Sequence, residues 1–455
     1  MALLRGVLDR PLASYYLLLA SSSLLLLIGL VMVFSATSVE AYVNDGDAYA
    51  SVRKQAISAV VGLVGFWIFQ RLPARTYRAL GAPLLVASAI MLAVLDVLAF
   101  VADMRTPPGQ DVTPVRLGPL YGDGLWLYLG PLQLQPAEIA KLALALWAAR
   151  LLARKGPTIG WWRELATPLF PVAAGIMVLV GINDLGTMLC LLILFVGLLW
   201  SAGVRLRVFA AMSAVALSGI AMLVALPGKA KWRGARLTAF LDPSACDQQA
   251  ACYQARQGRY AIADGGWFGV GLGESRGKWG WLPNGHNDFI FAVIAEELGV
   301  VGSLVVLALL AVLAYTGLRI ARRVDDPFRR MVAAGITFWL VGQAVINIGG
   351  VVGLLPITGL PLPFISDGGS ALVVTMSAVG LLASFARAEP DAARALHARP
   401  PAKWMRLVWA PLPPLPRQRR TRSAAGRGAA GRGEAPGARA RPTGATGRGD
   451  AERRR

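Results

Sequence analysis

The chain has 455 residues, 55% of them hydrophobic and only 16% charged, with a mean hydropathy of +0.54. That balance excludes an ordinary water-soluble globular domain and fits a polytopic membrane protein. The net charge of +20 would suit a nucleic-acid binder, but residues 399–455 hold 15 Lys/Arg against 3 Asp/Glu, a net +12 of that total. The apolar body is only modestly basic, so nucleic acid is not an expected partner.

Apolar runs long enough to span a bilayer stand at 14–36, 55–71, 79–103, 137–153, 165–182, 185–202, 207–227, 288–318, 331–354 and 370–386. The expected fold is therefore all-α, with about ten transmembrane helices. Residues 1–13 precede a full-length span without a small-residue cleavage site and read as a cytoplasmic N-terminus, not a signal peptide. Arg5 and Arg10, Arg71, Arg75 and Arg78, Arg150, Arg154 and Lys155, Arg205 and Arg207, and the cluster from Arg319 to Arg330 fall in alternate loops. The positive-inside rule assigns those loops to the cytoplasm, and an even helix count places both termini there. Segments 104–136, Asn183-Asp184, 228–287 and 355–369 are then extracytoplasmic. The tail, 388–455, has few large apolar residues and many Gly, Arg and Pro; it is expected to be disordered and basic enough to touch anionic headgroups.

Within this frame the polar residues are few enough to be weighed singly. Glu138 and Lys141, three apart, share one face of the fourth span; they can neutralise each other, or Lys141 can face a cavity and bind an anion. Asp184 is placed to cap the sixth helix. The long segment 228–287 mixes Lys229, Lys231, Arg233 and Arg236 with Trp232, Trp267, Trp279 and Trp281, a combination that suits an anionic, lipid-linked substrate or, equally, an interfacial belt. Its Cys246 and Cys252 lie on the oxidising side and are expected to pair, whereas Cys190, inside the sixth helix, should stay a buried thiol. With two His in the chain, a His-rich metal site is not expected.

The stretch from Trp279 to Gly299 organises the rest. A Trp/Gly/Pro-rich loop carrying His286 and Asp288 runs into an apolar helix that holds Glu296 and Glu297. Asp288 is expected at the N-cap, where the free N–H groups and the helix dipole favour a carboxylate. Glu296 and Glu297 would lie roughly 12–14 Å deeper, at about 1.5 Å per residue. An ionisable group inside a span is costly and marks a site by default. Residues 355–369, with three Pro and three Gly, cannot be helical, and non-helical backbone at membrane depth survives only where it lines a cavity.

Several motifs, in this order, resemble one family: Gln135-Pro-Ala-Glu-Ile-Ala-Lys141, Asp184-Leu-Gly-Thr187, Arg236-Leu-Thr-Ala-Phe-Leu-Asp-Pro243, Gly265-Gly-Trp-Phe-Gly-Val-Gly-Leu-Gly273, His286-Asn-Asp-Phe-Ile-Phe-Ala-Val-Ile-Ala-Glu-Glu-Leu-Gly299, and Asn347 through Ser370. The chain is similar, over about 14–387, to the SEDS proteins (shape, elongation, division and sporulation). The run Gly273-Glu-Ser-Arg-Gly-Lys-Trp-Gly-Trp-Leu-Pro283 is nearer the division branch than the elongation branch. The resemblance implies a peptidoglycan glycosyltransferase that polymerises lipid II at the outer face of the bacterial cytoplasmic membrane, at the division septum, beside a class B penicillin-binding protein. It implies Asp288 as the catalytic acid/base, and Glu138, Lys141, Asp184 and Arg236 as the family's further polar residues. His286, Glu296, Glu297 and Ser366 join them as candidate substrate contacts. Asn287, Asn284, Asn183, Leu125 and Asp367 depart from the family's usual Thr, Glu, Pro, Arg and aromatic residues.

The chemistry so implied displaces a polyprenyl pyrophosphate from an anomeric carbon by a sugar hydroxyl. It needs one base near the hydroxyl and positive charge near the pyrophosphate; Arg236, Lys141 or a divalent cation, Mg or Mn, are the candidates. Two rivals stand beside it. A lipid II flippase would line its path with Glu138, Lys141, Glu296 and Glu297, and a non-catalytic scaffold would only recruit other division proteins.

Overall fold

The computed structural model describes residues 6, 9–106, 114–130, 132–156, 167–225, 240, 251–400, 402 and 409–415. A helix stands at each of the ten predicted spans: α1 (Ala13–Asp45), α2 (Ala50–Arg71), α3 (Ala74–Arg105), α4 (Pro136–Lys155), α5 (Leu169–Asn183), α6 (Leu185–Ser201), α7 (Leu206–Ala225), α9 (Ile290–Arg323), α10 (Pro327–Val352) and α11 (Gly369–Arg387). Among the described residues, α1, α2, α3, α9, α10 and α11 are long and apolar enough to cross a bilayer, and α5, α6 and part of α7 are apolar but shorter. Length and composition by themselves therefore assign six crossings, not ten.

α4 is the innermost helix. It carries Ala at 137, 140, 143, 145, 148 and 149, all buried. These small side chains let α3, α6, α10 and α11 close around it. α11 lies along α2, and α10 along α6 and α9, so the apolar core is continuous from Tyr15 to Ala386.

Three elements were not expected. The 104–136 segment contains a four-stranded antiparallel meander, β1 (Arg116–Leu117), β2 (Leu120–Asp123), β3 (Trp126–Leu129) and β4 (Leu132–Leu134), in the order β1-β2-β3-β4. Gly124-Leu125 turns the central hairpin between the paired Asp123 and Trp126, with Gly124 at a φ of 56°, the positive φ such two-residue turns require at their first position. Tyr121 stacks on Tyr128 across it at 4.4 Å, and Leu127 seats the sheet on Leu95 and Leu98 of α3. The second element is α8 (Ala251–Gly265), inside the segment expected to be a plain loop.

The third corrects the tail. Order continues past Arg387 into α12 (Pro390–Ala398), where Ala392 and Ala393 are buried. Residues 409–415 then fold back on the bundle: Gln70 Nε2 donates to the Trp409 carbonyl at 2.7 Å, and Arg387 donates to the carbonyls of Ala410 and Pro411. A disordered region beginning at 388 is thus too long by at least this much; residues 417–455 lie outside the described residues.

Candidate active site at the 284–288 turn

Residues 353–368 are non-helical between α10 and α11, as their Pro and Gly content requires, so their backbone groups need partners from elsewhere. Polar side chains buried in apolar helices supply them. Asn347 Nδ2 donates to the Leu360 carbonyl at 2.6 Å and to the Asp288 carbonyl at 2.7 Å. Gln343 Nε2 donates to the Pro361 carbonyl, and Gln55 Nε2 to the Ser366 carbonyl. Ser366, 4% exposed, accepts from Leu362 N and donates to the Asn287 carbonyl, both at 2.7 Å. Asp367 N donates to the His286 carbonyl at 3.1 Å. Two loops far apart in sequence are thereby clamped together, and each holds one non-glycine residue in the left-handed region, Asn284 (φ 55°) and Phe364 (φ 69°). Asn tolerates that region better than Glu, which gives a physical account of Asn284, one of the family departures.

Asp288 is half-buried in this clamp. It lines a narrow crevice of about 10 Å³, with room for about one water, together with Asn347, Gly350, Ile357, Thr358 and Leu360. It is not the N-cap. α9 begins at Ile290, and Phe289, whose side chain makes no cap bond, occupies the cap position. The chain turns one residue early because Asn287 N and Phe289 N both bond back to the Asn284 carbonyl.

Asp184 does cap α6, accepting from Thr187 N at 2.9 Å and from Thr187 Oγ1 at 2.5 Å. Between them Gly186 packs directly on Thr358 and Leu360, so this cap supports the strand that lines the Asp288 cavity. His286 stands at the rim, its Nδ1 3.9 Å from Glu40, in a second cleft of about 160 Å³ shared with Lys278 and Pro283. Burial pushes the neighbouring Asp367 carboxyl above its usual range, against the pull of His286 and Lys54.

Lys141 does not face a cavity. It is 0% exposed and Glu138 1%, with Nζ donating to Glu138 Oε1 at 2.7 Å and to Gln343 Oε1 at 3.0 Å. The ammonium also lies 4.8 Å from the centre of the Trp339 ring. Of the two readings the sequence allows, the structure supports mutual neutralisation. The pair then acts on the site indirectly, by fixing Gln343 and hence Pro361.

Glu296 and Glu297 are not deep in a continuous helix. α9 breaks at Gly299, whose φ of 67° and ψ of −163° are non-helical, leaving a first segment, 290–298, with nearly every side chain buried. Backbone from the Gly265–Gly273 motif fills the break: Val270 N and Gly271 N donate to the carbonyls of Glu296 and Glu297, while Val300 N and Val301 N donate to those of Gly266 and Trp267. The carboxylates are likewise engaged. Glu297 accepts from Ser35 Oγ of α1 at 2.6 Å and 2.8 Å, and Glu296 from Ser275 Oγ at 2.6 Å and Arg276 N at 2.8 Å. Both hold the segment that carries Asp288; Glu297 is enclosed, and Glu296, also buried, sits at the floor of a cleft beside α8.

Gly299 is indispensable to that geometry. A Cβ there would approach the Trp267 carbonyl carbon and oxygen to 2.6 Å, in a backbone region that L-residues avoid. Gly299→Ala is expected to lower the thermal midpoint by several degrees or abolish expression, on the order of 1–3 kcal/mol from strain alone. An unchanged midpoint in a fluorescence-detected size-exclusion thermal scan would mean the break is not as described.

Arg236 and Cys246 lie outside the described residues. Cys252 is disulfide-bonded and Cys190 is a free, buried thiol. No three His, Cys, Asp or Glu side chains converge as a metal cage among the described residues. The sequence reasoning assigned no role to Gln55, Gln343 or Ser35 and none to Asn347. An amide within the apolar run Trp339-Leu-Val-Gly-Gln-Ala-Val-Ile-Asn-Ile348 was a usable signal, because such groups demand partners.

The family model for the FtsW/RodA/SpoVE cell cycle proteins matches residues 15–390. The probable peptidoglycan glycosyltransferase FtsW of Mycobacterium tuberculosis is 41% identical over 407 residues, which is 89% of this chain and 74% of that one. Stage V sporulation protein E of Bacillus subtilis is 34% identical over 82% of this chain and 96% of its own. Among solved structures, a chain of a peptidoglycan synthase complex that coordinates polymerization and crosslinking superposes with a TM-score of 0.62, at 25% identity over 81% of this chain and 96% of that chain. RodA of Thermus thermophilus gives 0.56 at 25% identity over 82% and 96%.

Proposed function

Because the chain belongs to the FtsW/RodA/SpoVE family of cell cycle proteins, we propose that it is a division-type peptidoglycan glycosyltransferase in which Asp288 is the general base for lipid II polymerisation. The observation that carries the reading is the clamp. Asn347, Ser366 and Asp367 hold the 286–288 backbone by separate hydrogen bonds, which supports a fixed position for the Asp288 carboxylate at this turn. Such positioning is what a base needs.

In the reaction, a sugar hydroxyl of the acceptor attacks the anomeric carbon of the donor. The carbon–oxygen bond to the polyprenyl pyrophosphate breaks, that oxygen keeps the electron pair, and the hydroxyl proton passes to Asp288. Arg236 is the protein cation nominated for the pyrophosphate, since Lys141 is engaged by Glu138. His286, on the rim, suits a contact with the acceptor sugar, while Asp184, Ser366, Glu296 and Glu297 act by position. The flippase reading loses support because the four charges it needs are buried against protein partners. Purified protein with lipid II and a class B penicillin-binding protein is the deciding experiment: glycan polymer on a gel supports the enzyme, and intact lipid II would favour the flippase or scaffold.

The same reading makes this integral membrane protein a component of the cytoplasmic membrane at the septum, with both termini inside. Single cysteines at Thr76 and Asp325 are expected to react with a membrane-impermeant reagent only after permeabilisation, and one at Leu354, 75% exposed, in intact cells. Labelling of 354 only after permeabilisation would invert the topology.

A further inference from the structure

A further cleft lies beside the 284–288 turn. It runs between α8 and residues 276–282, has a volume of about 470 Å³, and shares Gly277 and Leu282 with the cleft that holds His286. A single turn of chain therefore separates it from the rim of the candidate active site. Its floor is rigid, since Glu296 accepts from Ser275 Oγ and Arg276 N.

The walls combine two kinds of group. Trp279, Trp281 and Tyr260 line the cleft and remain 66%, 61% and 56% exposed; Gln257, Asp264 and Arg276 line it with them. Exposed aromatic faces in a concave site are costly to leave in water and favour a partner with a flat apolar face. An acyl chain would desolvate Asp264 and Arg276 without giving them hydrogen bonds. A phosphate would meet the Asp264 carboxylate. A pyranose ring has an apolar C–H face for an indole and a rim of hydroxyl and acetamido groups for carboxylate, amide and guanidinium.

We propose that this cleft binds a short stretch of N-acetylated amino-sugar glycan, holding the strand one turn of chain away from the candidate catalytic turn. The ligand class rests on the polymerase reading above; the binding itself requires no turnover. Loss of the aromatic walls would let the strand leave earlier.

The test uses the full-length protein in detergent and lipid-free tetrasaccharides, tetra-N-acetylglucosamine and the corresponding GlcNAc–MurNAc glycan, followed by calorimetry. The parent is expected to bind saturably. Trp279→Ala with Trp281→Ala should weaken binding about tenfold or more, close to 1.4 kcal/mol, whereas Trp279→Phe with Trp281→Phe should restore most of it and exclude a folding defect. Trp267→Ala, on an exposed Trp that does not line the cleft, should bind within about twofold of the parent. Asp288→Asn should also bind like the parent, so a failed base assignment and a failed cleft assignment give different results. Absence of saturable tetrasaccharide binding by the parent, or equal binding by the double Ala variant, overturns the proposal. So does loss of polyprenyl phosphate binding in the double Ala variant with tetrasaccharide binding intact, which would reassign the cleft to lipid.

Discussion

Asp288→Asn is expected to lower the initial rate of lipid II polymerisation by roughly 10²–10⁴-fold, the range for losing a positioned general base, with expression and thermal midpoint unchanged. The amide matches the carboxylate in shape and removes only its basicity. The contact that anchors this residue is made by its backbone carbonyl, which accepts from Asn347, and the variant keeps it. Helix geometry is retained in the variant in any case, because Asn serves a helix N-terminus about as well as Asp. Asp288→Glu retains a base but displaces it by one methylene and should fall between the two. A stable Asp288→Asn protein that polymerises within about tenfold of the parent would remove Asp288 from the role of base.

Lys141→Met is expected to cause the largest loss of stability, about 3–5 kcal/mol, because it leaves the Glu138 carboxylate buried without its counter-charge. Glu138→Gln with Lys141→Met should recover most of that loss, since replacing both charges removes the desolvation penalty along with the attraction. Exchanging the charges is not equivalent. A carboxylate at 141 would face the Trp339 ring and Gln343 Oε1, which already accepts from Trp339 Nε1 at 2.8 Å, while the Gln343 amide nitrogen is held by the Pro361 carbonyl. Glu138→Lys with Lys141→Glu should therefore be nearly as unstable as Lys141→Met alone. Thermal scans of the three variants test the pairing, and lipid II assays on the neutral double variant test what it is for. If stability returns but polymerisation does not, Lys141 regains its place as a substrate ligand.

The sequence by itself determined the class, the location of ten helices, the non-helical character of 355–369 and the Asp184 cap of α6. Each depends on local physics: apolar runs, Pro and Gly content, and capping preference act over a few neighbouring residues. The Gly124-Leu125 hairpin turn was equally local, set between Tyr121 and Trp126, and could have been read from the same rules.

Other features had no local signature. That Lys141 points at Glu138 and Gln343 and not at a cavity depended on which neighbours α10 and α11 bring to α4. That α9 breaks at Gly299 depended on the 265–273 backbone being present to satisfy the freed carbonyls of Glu296 and Glu297; without that strand, an apolar run with one Gly reads as a continuous helix. The position of Asp288 outside the N-cap followed from Asn284 turning the chain early. The clamp itself joins residues 286–288 to 347 and 366–367, and a buried amide or hydroxyl declares that it needs a partner without saying which. Only the packing of α10 against α9 and the return of the 353–368 segment decided that Asn347 and Ser366 would hold the carboxylate's backbone in place.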